Sequence, residues 1–260
     1  MTVKGQGKSS LLSLLLVLAL TSCGCSTTKK GLVQYKAEVV AEYPHDPSSY
    51  TQGLFFHDGA LYESVGQYNE SAMRKMDLAT GRNIKTVSLG AGVFAEGSVI
   101  LDSTLYILTW QNGQAYVCDP VSFGIRERVA YPREGWGLTT DGEQLIASDG
   151  TDVLYFMDRD LQVRRQVHVT RGGKKQMLLN ELEYIDGKVW ANVYTYDDIL
   201  IIDPDSGVVE GVIDCSGLLK PQDRDLRTDV LNGIALGPDG KVYVTGKYWK
   251  KLFEIQLKEK

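Results

Sequence analysis

Proline, histidine and cysteine are scarce in this chain, at 7, 3 and 4 of 260 residues, and neither sign of charge dominates. So little proline beside 43% hydrophobic residues excludes a collagenous or disordered chain. Four cysteines over this length exclude a disulfide-stapled miniprotein. The formal net charge of -5 is too small to point to a nucleic-acid partner. His45, His57 and His168 share no metal-ligand spacing. Walker, dinucleotide and nucleophile-elbow motifs are missing, and Gly172-Gly173-Lys174-Lys175 is too short for a phosphate loop, so it reads as a basic turn. What is plentiful is aromatic side chain and glycine: 4 Trp, 14 Tyr, 6 Phe and 27 Gly. That combination favours β-strands joined by tight turns.

The first 22 residues read as an export signal. Lys4 and Lys8 precede the apolar stretch 11–20, about half of what spans a bilayer, and Thr21-Ser22-Cys23 follows. Leu20-Thr21-Ser22-Cys23 resembles the lipobox of bacterial lipoproteins, which makes Cys23 the expected lipidation site; a plain secretory peptide cleaved nearby is the alternative. Residues 23–32 form a polar tether and 33–260 the globular domain. The protein is therefore expected outside the cytoplasm, held to a bacterial membrane by lipid alone, in the periplasm or on the cell surface. A bridge between Cys118 and Cys215 is open in an oxidising compartment, but the two fall in different repeats and are read as unpaired thiols packed as small hydrophobes.

An internal repeat organises the rest. Five segments open alike: Thr51-Gln52-Gly53-Leu54, Ala95-Glu96-Gly97-Ser98, Gly135-Trp136-Gly137-Leu138, Asn180-Glu181-Leu182-Glu183 and Leu231-Asn232-Gly233-Ile234. Asp-Gly turns follow four of them, at Asp58-Gly59, Asp141-Gly142, Asp186-Gly187 and Asp239-Gly240, and a second strand comes next. Third strands run into acidic turns at Asp77, Asp119, Asp158 and Asp203. Fourth strands fit at 83–89, 125–130, 163–169 and 208–213. The fifth repeat ends without one, and the alternating stretch 33–43 is free to supply it and close a ring. Repeats of this size with four strands each predict an all-β chain folded as a five-bladed β-propeller. A β-sandwich with chance similarity between strands is the alternative.

In such a ring the innermost strands crowd one mouth of the axis. The aligned column there reads Gln52, Glu96, Trp136, Glu181 and Asn232, whereas packing between blades calls for small or apolar residues. A polar, aromatic-lined concavity is the default binding site. Trp110, Tyr194, Lys247 and Trp249 occupy comparable places after the second strands. Each has a plainer reading: Trp110 and Trp249 as packing between blades, Lys247 as a solvated lysine. Glu96, with Phe94 before it and Gly97 after it, is expected to have a raised pKa among aromatics, as a proton shuttle requires. Asp-rich turns are a candidate for one weakly held structural calcium ion.

The series His45-Asp46, Tyr50-Thr51-Gln52-Gly53-Leu54, Glu96-Gly97, Leu108-Thr109-Trp110, Gly135-Trp136-Gly137-Leu138-Thr139-Thr140, Ser148-Asp149-Gly150, Asn180-Glu181-Leu182-Glu183-Tyr184, Ala191-Asn192-Val193, Leu231-Asn232-Gly233 and Thr245-Gly246-Lys247 resembles the plant and bacterial type of glutaminyl cyclase, over roughly residues 40–257. The resemblance implies a five-bladed propeller that converts N-terminal glutamine of peptides or proteins to pyroglutamate, releases ammonia and requires no metal or other cofactor. It implies Glu96 as the acid/base group, and Gln52, Asn180 and Lys247 as donors around the amide. Tyr50, Trp110, Trp136 and Tyr194 form the implied aromatic wall, with Glu181 and Asn232 from the aligned column as further substrate contacts. The family often has tryptophan where Tyr194 stands. The chain is expected to act as a monomer on such substrates. Two other readings stay open: a non-catalytic propeller that binds peptides or glycans, and a glycosidase with Glu96 and Glu181 as acid and base.

Overall fold

The computed structural model describes residues 31–260. The stretch read as an export signal, the expected lipidation site Cys23 and most of the expected tether lie outside the described residues. Within them the chain is all-β, with one short 3-10 turn at Pro221–Asp223.

Thr51–His57, Ala60–Val65, Ala72–Met76 and Asn83–Ser88 form a first antiparallel four-stranded sheet. Ala95–Leu101, Thr104–Thr109, Gln114–Cys118 and Ile125–Ala130 form a second. Leu138–Thr140, Leu145–Ala147, Val153–Met157 and Val163–His168 form a third. The remaining long strands make one eight-stranded sheet of two halves. One half, the fourth unit, is the meander Leu179–Ile185, Lys188–Val193, Asp198–Ile202 and Val209–Asp214. The other, the fifth unit, is Leu231–Leu236, Val242–Gly246, Lys251–Glu259 and the N-terminal strand Val33–Pro44.

Val33–Pro44 thus completes the last repeat from the opposite end of the chain, pairing antiparallel with Lys251–Glu259. Its first four residues also pair in parallel with Gly211 to Asp214, a seam the repeat did not foretell, which fuses the fourth and fifth units. The third unit departs from its expected opening. Residues 135–137 are tied by single bonds between Trp136 N–H and Ser148 O and between Ser148 N–H and Gly137 O, both 3.1 Å, and the regular strand begins only at Leu138. Glycine on either side of Trp136 weakens a strand there.

Local chemistry explains the elements. The Asp58-Gly59 turn has positive φ at both residues, 46° and 74°, the left-handed pair that matches the twist of a two-residue hairpin. The acidic turns close on themselves: Asp77, Asp119, Asp158 and Asp203 accept the backbone N–H of Thr80, Ser122, Gln162 and Ser206. Gly172-Gly173 turns a short hairpin between Thr170–Arg171 and Lys174–Lys175.

Packing is cyclic. The first strands of the five units contact one another in order, and Leu231–Leu236 meets Thr51–His57 to close the series. Five apolar interfaces lie between neighbouring units: Phe55 and Met73 against Ile107, Leu108 against Leu145, Phe156 against Leu200, Ile199 against Phe253, and Leu54 against Tyr243. Each large apolar side chain buried there contributes about 1.5–3 kcal/mol. Two stacked sheets would have one such interface. Cys118 and Cys215 are buried and unpaired, as expected. Near the axis, backbone meets backbone: a Cβ added at Gly137 would lie 2.1 Å from Asn180 O, so only glycine fits.

Candidate active site

The first strands of the first, second, fourth and fifth units slip register with their partners, between Thr51 and Gly53, Ala95 and Ser98, Leu179 and Leu182, and Leu231 and Ile234. A β-bulge sets two residues against one and re-aims a side chain. Gln52, Glu96, Asn180, Glu181 and Asn232 all sit in these slips. They surround one end of the axis.

There the chain encloses a cavity of about 240 Å³. Its polar lining is Gln52, Glu96, Asn180, Lys247 and Gln67; its aromatic lining is Tyr50, Phe94, Trp110, Trp136 and Tyr194. The volume lies below the roughly 300–1,000 Å³ of pockets for drug-sized ligands and suits a single residue. Gln67 and Phe94 were not expected as site residues. A signal for Phe94 existed: it stands two residues before Glu96 as Tyr50 stands two before Gln52, on the same side of the strand entry. Gln67 lies one residue past the place in the first unit that Trp110, Tyr194 and Lys247 hold in theirs; it reaches the cavity from a left-handed conformation, φ 87°, shared by its counterparts Thr195 and Tyr248 at 72° and 59°.

Two expected contacts do not line the cavity. Glu181 turns down the axis, where Oε1 accepts Leu54 N–H at 3.1 Å and Oε2 accepts Ile234 N–H at 2.8 Å. No glycine follows it, and within its two-residue bulge the neighbour Asn180 faces the cavity instead. This also removes the second carboxylate from the glycosidase reading. Asn232 lies beneath Gln52, its Nδ2 donating to Thr51 O at 2.9 Å and to Gln52 Oε1 at 3.3 Å. That bond orients the Gln52 amide so that Nε2 donates to Glu96 Oε1 at 3.0 Å. Glu96 Oε2 is left for a ligand.

Glu96 is 4% exposed, and burial pushes its carboxyl well above the usual range, with Lys247 opposing and Glu134 adding to the shift. Lys247 is 2% exposed rather than solvated. Its ammonium lies over the Tyr50 ring at 4.5 Å and the Tyr194 ring at 5.2 Å, and burial lowers its pKa against the pull of Glu96 and Asp229. Its backbone is fixed by two bonds to the 229–230 segment: Lys247 N–H to Val230 O and Asp229 N–H to Lys247 O. Trp249 packs beneath, 2% exposed, with Nε1–H donating to Asp229 O. Tyr50 is set by a buried network in which Glu63 accepts from Ser49 Oγ and Thr51 Oγ1 and meets His45 Nε2 at 3.0 Å. Trp136 meets Tyr194 edge-on at 5.5 Å, and Phe94 joins Tyr50 and Trp110 into one wall.

Among the described residues no three His, Cys, Asp or Glu side chains converge to hold a metal ion. What converges is a buried carboxyl of raised pKa, a lysine and three side-chain amides in an aromatic enclosure. That set can hold an amide, move a proton across it and offset charge on its oxygen.

Below the cavity, Glu183 accepts Leu236 N–H at 2.9 Å and Thr139 Oγ1–H at 3.3 Å. Burial pushes its carboxyl up to about 8 despite these bonds. Between the ordinary carboxylate range and about 8 the folded chain holds a proton that the unfolded chain releases, so stability falls as pH rises through that window. The melting midpoint is expected to drop between about pH 5 and pH 8, and Glu183→Gln to flatten the slope. Equal slopes in both proteins would count against this.

A model of the family described as glutamine cyclotransferase matches residues 12–257. A glutaminyl-peptide cyclotransferase of Arabidopsis thaliana is 41% identical over 230 residues, which span 85% of this chain and 71% of that protein. The crystal structure of Myxococcus xanthus glutaminyl cyclase matches with a TM-score of 0.82 at 35% identity, covering 88% of this chain and 99% of the other. A streptogramin B lyase, at a TM-score of 0.51 and 11% identity over 86% of this chain and 98% of its own, shares the fold alone.

Proposed function

The chain belongs to the glutamine cyclotransferase family and is a glutaminyl-peptide cyclotransferase, and we propose that its reaction takes place in the cavity around Glu96, at the mouth of a closed five-bladed propeller. The cyclic contacts of the five first strands and the five apolar interfaces support the blade count. The observation that carries the site is the pairing of buried Glu96, held by Gln52, with buried Lys247 in an aromatic enclosure sized for one residue.

The substrate is a peptide or protein whose first residue is glutamine. Its α-amine, with a solution pKa of about 7.7–8.0, sheds its proton as it leaves water for the cavity. The neutral nitrogen attacks the side-chain amide carbon of the same residue. As the new N–C bond forms, the ionised Glu96 takes a proton from the attacking nitrogen. It then delivers that proton to the amide nitrogen, the old C–N bond breaks, and ammonia leaves a pyroglutamyl ring behind. The raised pKa of Glu96 brings it closer to the groups it exchanges protons with, which favours both transfers. Lys247 offsets the charge that gathers on the amide oxygen, and Asn180 and Gln52 orient the amide. The aromatic walls select the folded-back conformer of a flexible side chain; attack within one molecule supplies the high effective concentration. The remainder of the peptide stays outside.

Purified protein incubated with a Gln-initiated peptide is expected to yield the peptide minus one ammonia, with pyroglutamate at its N-terminus and an unchanged rate in EDTA. No mass loss across several such peptides sinks the proposal.

A further inference from the structure

Glu134 has no place in the reaction above, yet it is bonded to both tryptophans of the cavity. Its Oε2 accepts Trp110 Nε1–H at 2.9 Å and Trp136 Nε1–H at 3.1 Å, while Oε1 accepts Gln111 Nε2–H at 2.8 Å. Trp110 follows the second strand of the second unit, and Trp136 opens the third. A single oxygen therefore fixes two rings that arrive from different units. The carboxylate is half-buried and takes no cation as partner among the described residues; three neutral donors hold it ionised against the cost of burial. Packing does not ask for this: an indole N–H at a wet rim can be satisfied by water, and a carboxylate there carries a desolvation cost.

We propose that Glu134 is a positioning residue for the cyclisation: it sets Trp110 and Trp136 at the spacing that admits a glutamine side chain folded back on its own amine, and places a fixed negative charge on the Glu96 side of the cavity. The inference rests on the cyclotransferase reading of the cavity. Conformer selection needs rigid walls, and two indoles sharing one acceptor cannot turn independently. The charged groups facing Glu96 are Lys247, which favours its ionisation, and Glu134, which opposes it.

Two variants of the full chain separate the parts. Glu134→Gln keeps one oxygen for both indoles, and its NH2 can donate to Gln111 once that amide flips; geometry survives and charge is lost. Its KM is expected to stay near wild type, while the acid limb of kcat/KM moves to lower pH because Glu96 loses a repelling neighbour. Glu134→Ala loses both, and KM is expected to rise about tenfold as two rings and the bound side chain must be ordered together. Acrylamide quenching of its tryptophan emission rises too, since Trp190 and Trp249 are buried and Trp110 and Trp136 are the pair set free. Wild-type KM and quenching in Glu134→Ala overturn the inference, as does a loss of melting midpoint in both variants with KM and quenching unchanged. A wild-type protein that cyclises no peptide fails the cyclotransferase reading instead, and the quenching arm still decides whether Glu134 holds the indoles.

Discussion

Glu96→Gln is expected to lower kcat by about 10²–10⁴ while leaving the protein folded and KM close to wild type. The replacement is isosteric, and its side-chain oxygen can still accept from Gln52 Nε2, which now sits 3.0 Å from Glu96 Oε1. What it cannot do is take a proton from the attacking nitrogen and return it to the leaving one. The acid limb of the rate profile should vanish with it, because burial places the Glu96 pKa well above the ordinary range, where its ionisation sets the active fraction. Steady-state rates of ammonia release across pH, with a melting curve for each protein, check both halves. Retention of wild-type kcat would remove Glu96 from the chemistry and leave the cavity as a recognition site.

Lys247→Met should cost about 10²–10³ in kcat, the usual loss for one donor at a developing oxyanion. Stability should move the other way. Lys247 is buried between Tyr50 and Tyr194. A desolvated cation held by two rings rather than a carboxylate is a cost to the fold, and methionine fills the same space without it. The melting midpoint is therefore expected to hold or rise as activity falls. A second readout follows from the sign of the coupling: Lys247 favours ionised Glu96, so its removal raises the Glu96 pKa and shifts the residual acid limb to higher pH. A destabilised variant with full activity would contradict both statements.

The fold was legible because each repeat states its own geometry. Asp58-Gly59 and its counterparts name hairpins, and alternating strands between them name the sheets. Even the outer strand taken from residues 33–43 could be read, since an orphan alternating stretch and a repeat one strand short fit each other. The parallel seam at Val33 could not, because it joins two units through a pairing no local pattern encodes.

The site was legible in three units where glycine follows the functional residue, although Asn232-Gly233 carries the same mark and Asn232 lies beneath the cavity. Gln52-Gly53, Glu96-Gly97 and Trp136-Gly137 mark places where first strands approach too closely for a Cβ. In the fourth unit that marker is missing, and counting by repeat selects Glu181, whereas the bulge gives the cavity to Asn180. One residue of slip moves a side chain to the other face. Glu134 carried no signal at all. Its role exists only because indoles from two units converge on it.

The sequence by itself determined the number of repeats, the strands within them, and the residue types available at one mouth of the axis, since these follow from local periodicity and turn chemistry. Tertiary structure alone decided which of two adjacent polar residues faces the cavity, that Lys247 is buried, and that Glu134 ties two tryptophans together. Desolvation and convergence are properties of the assembled fold. No segment possesses them until all its neighbours are in place.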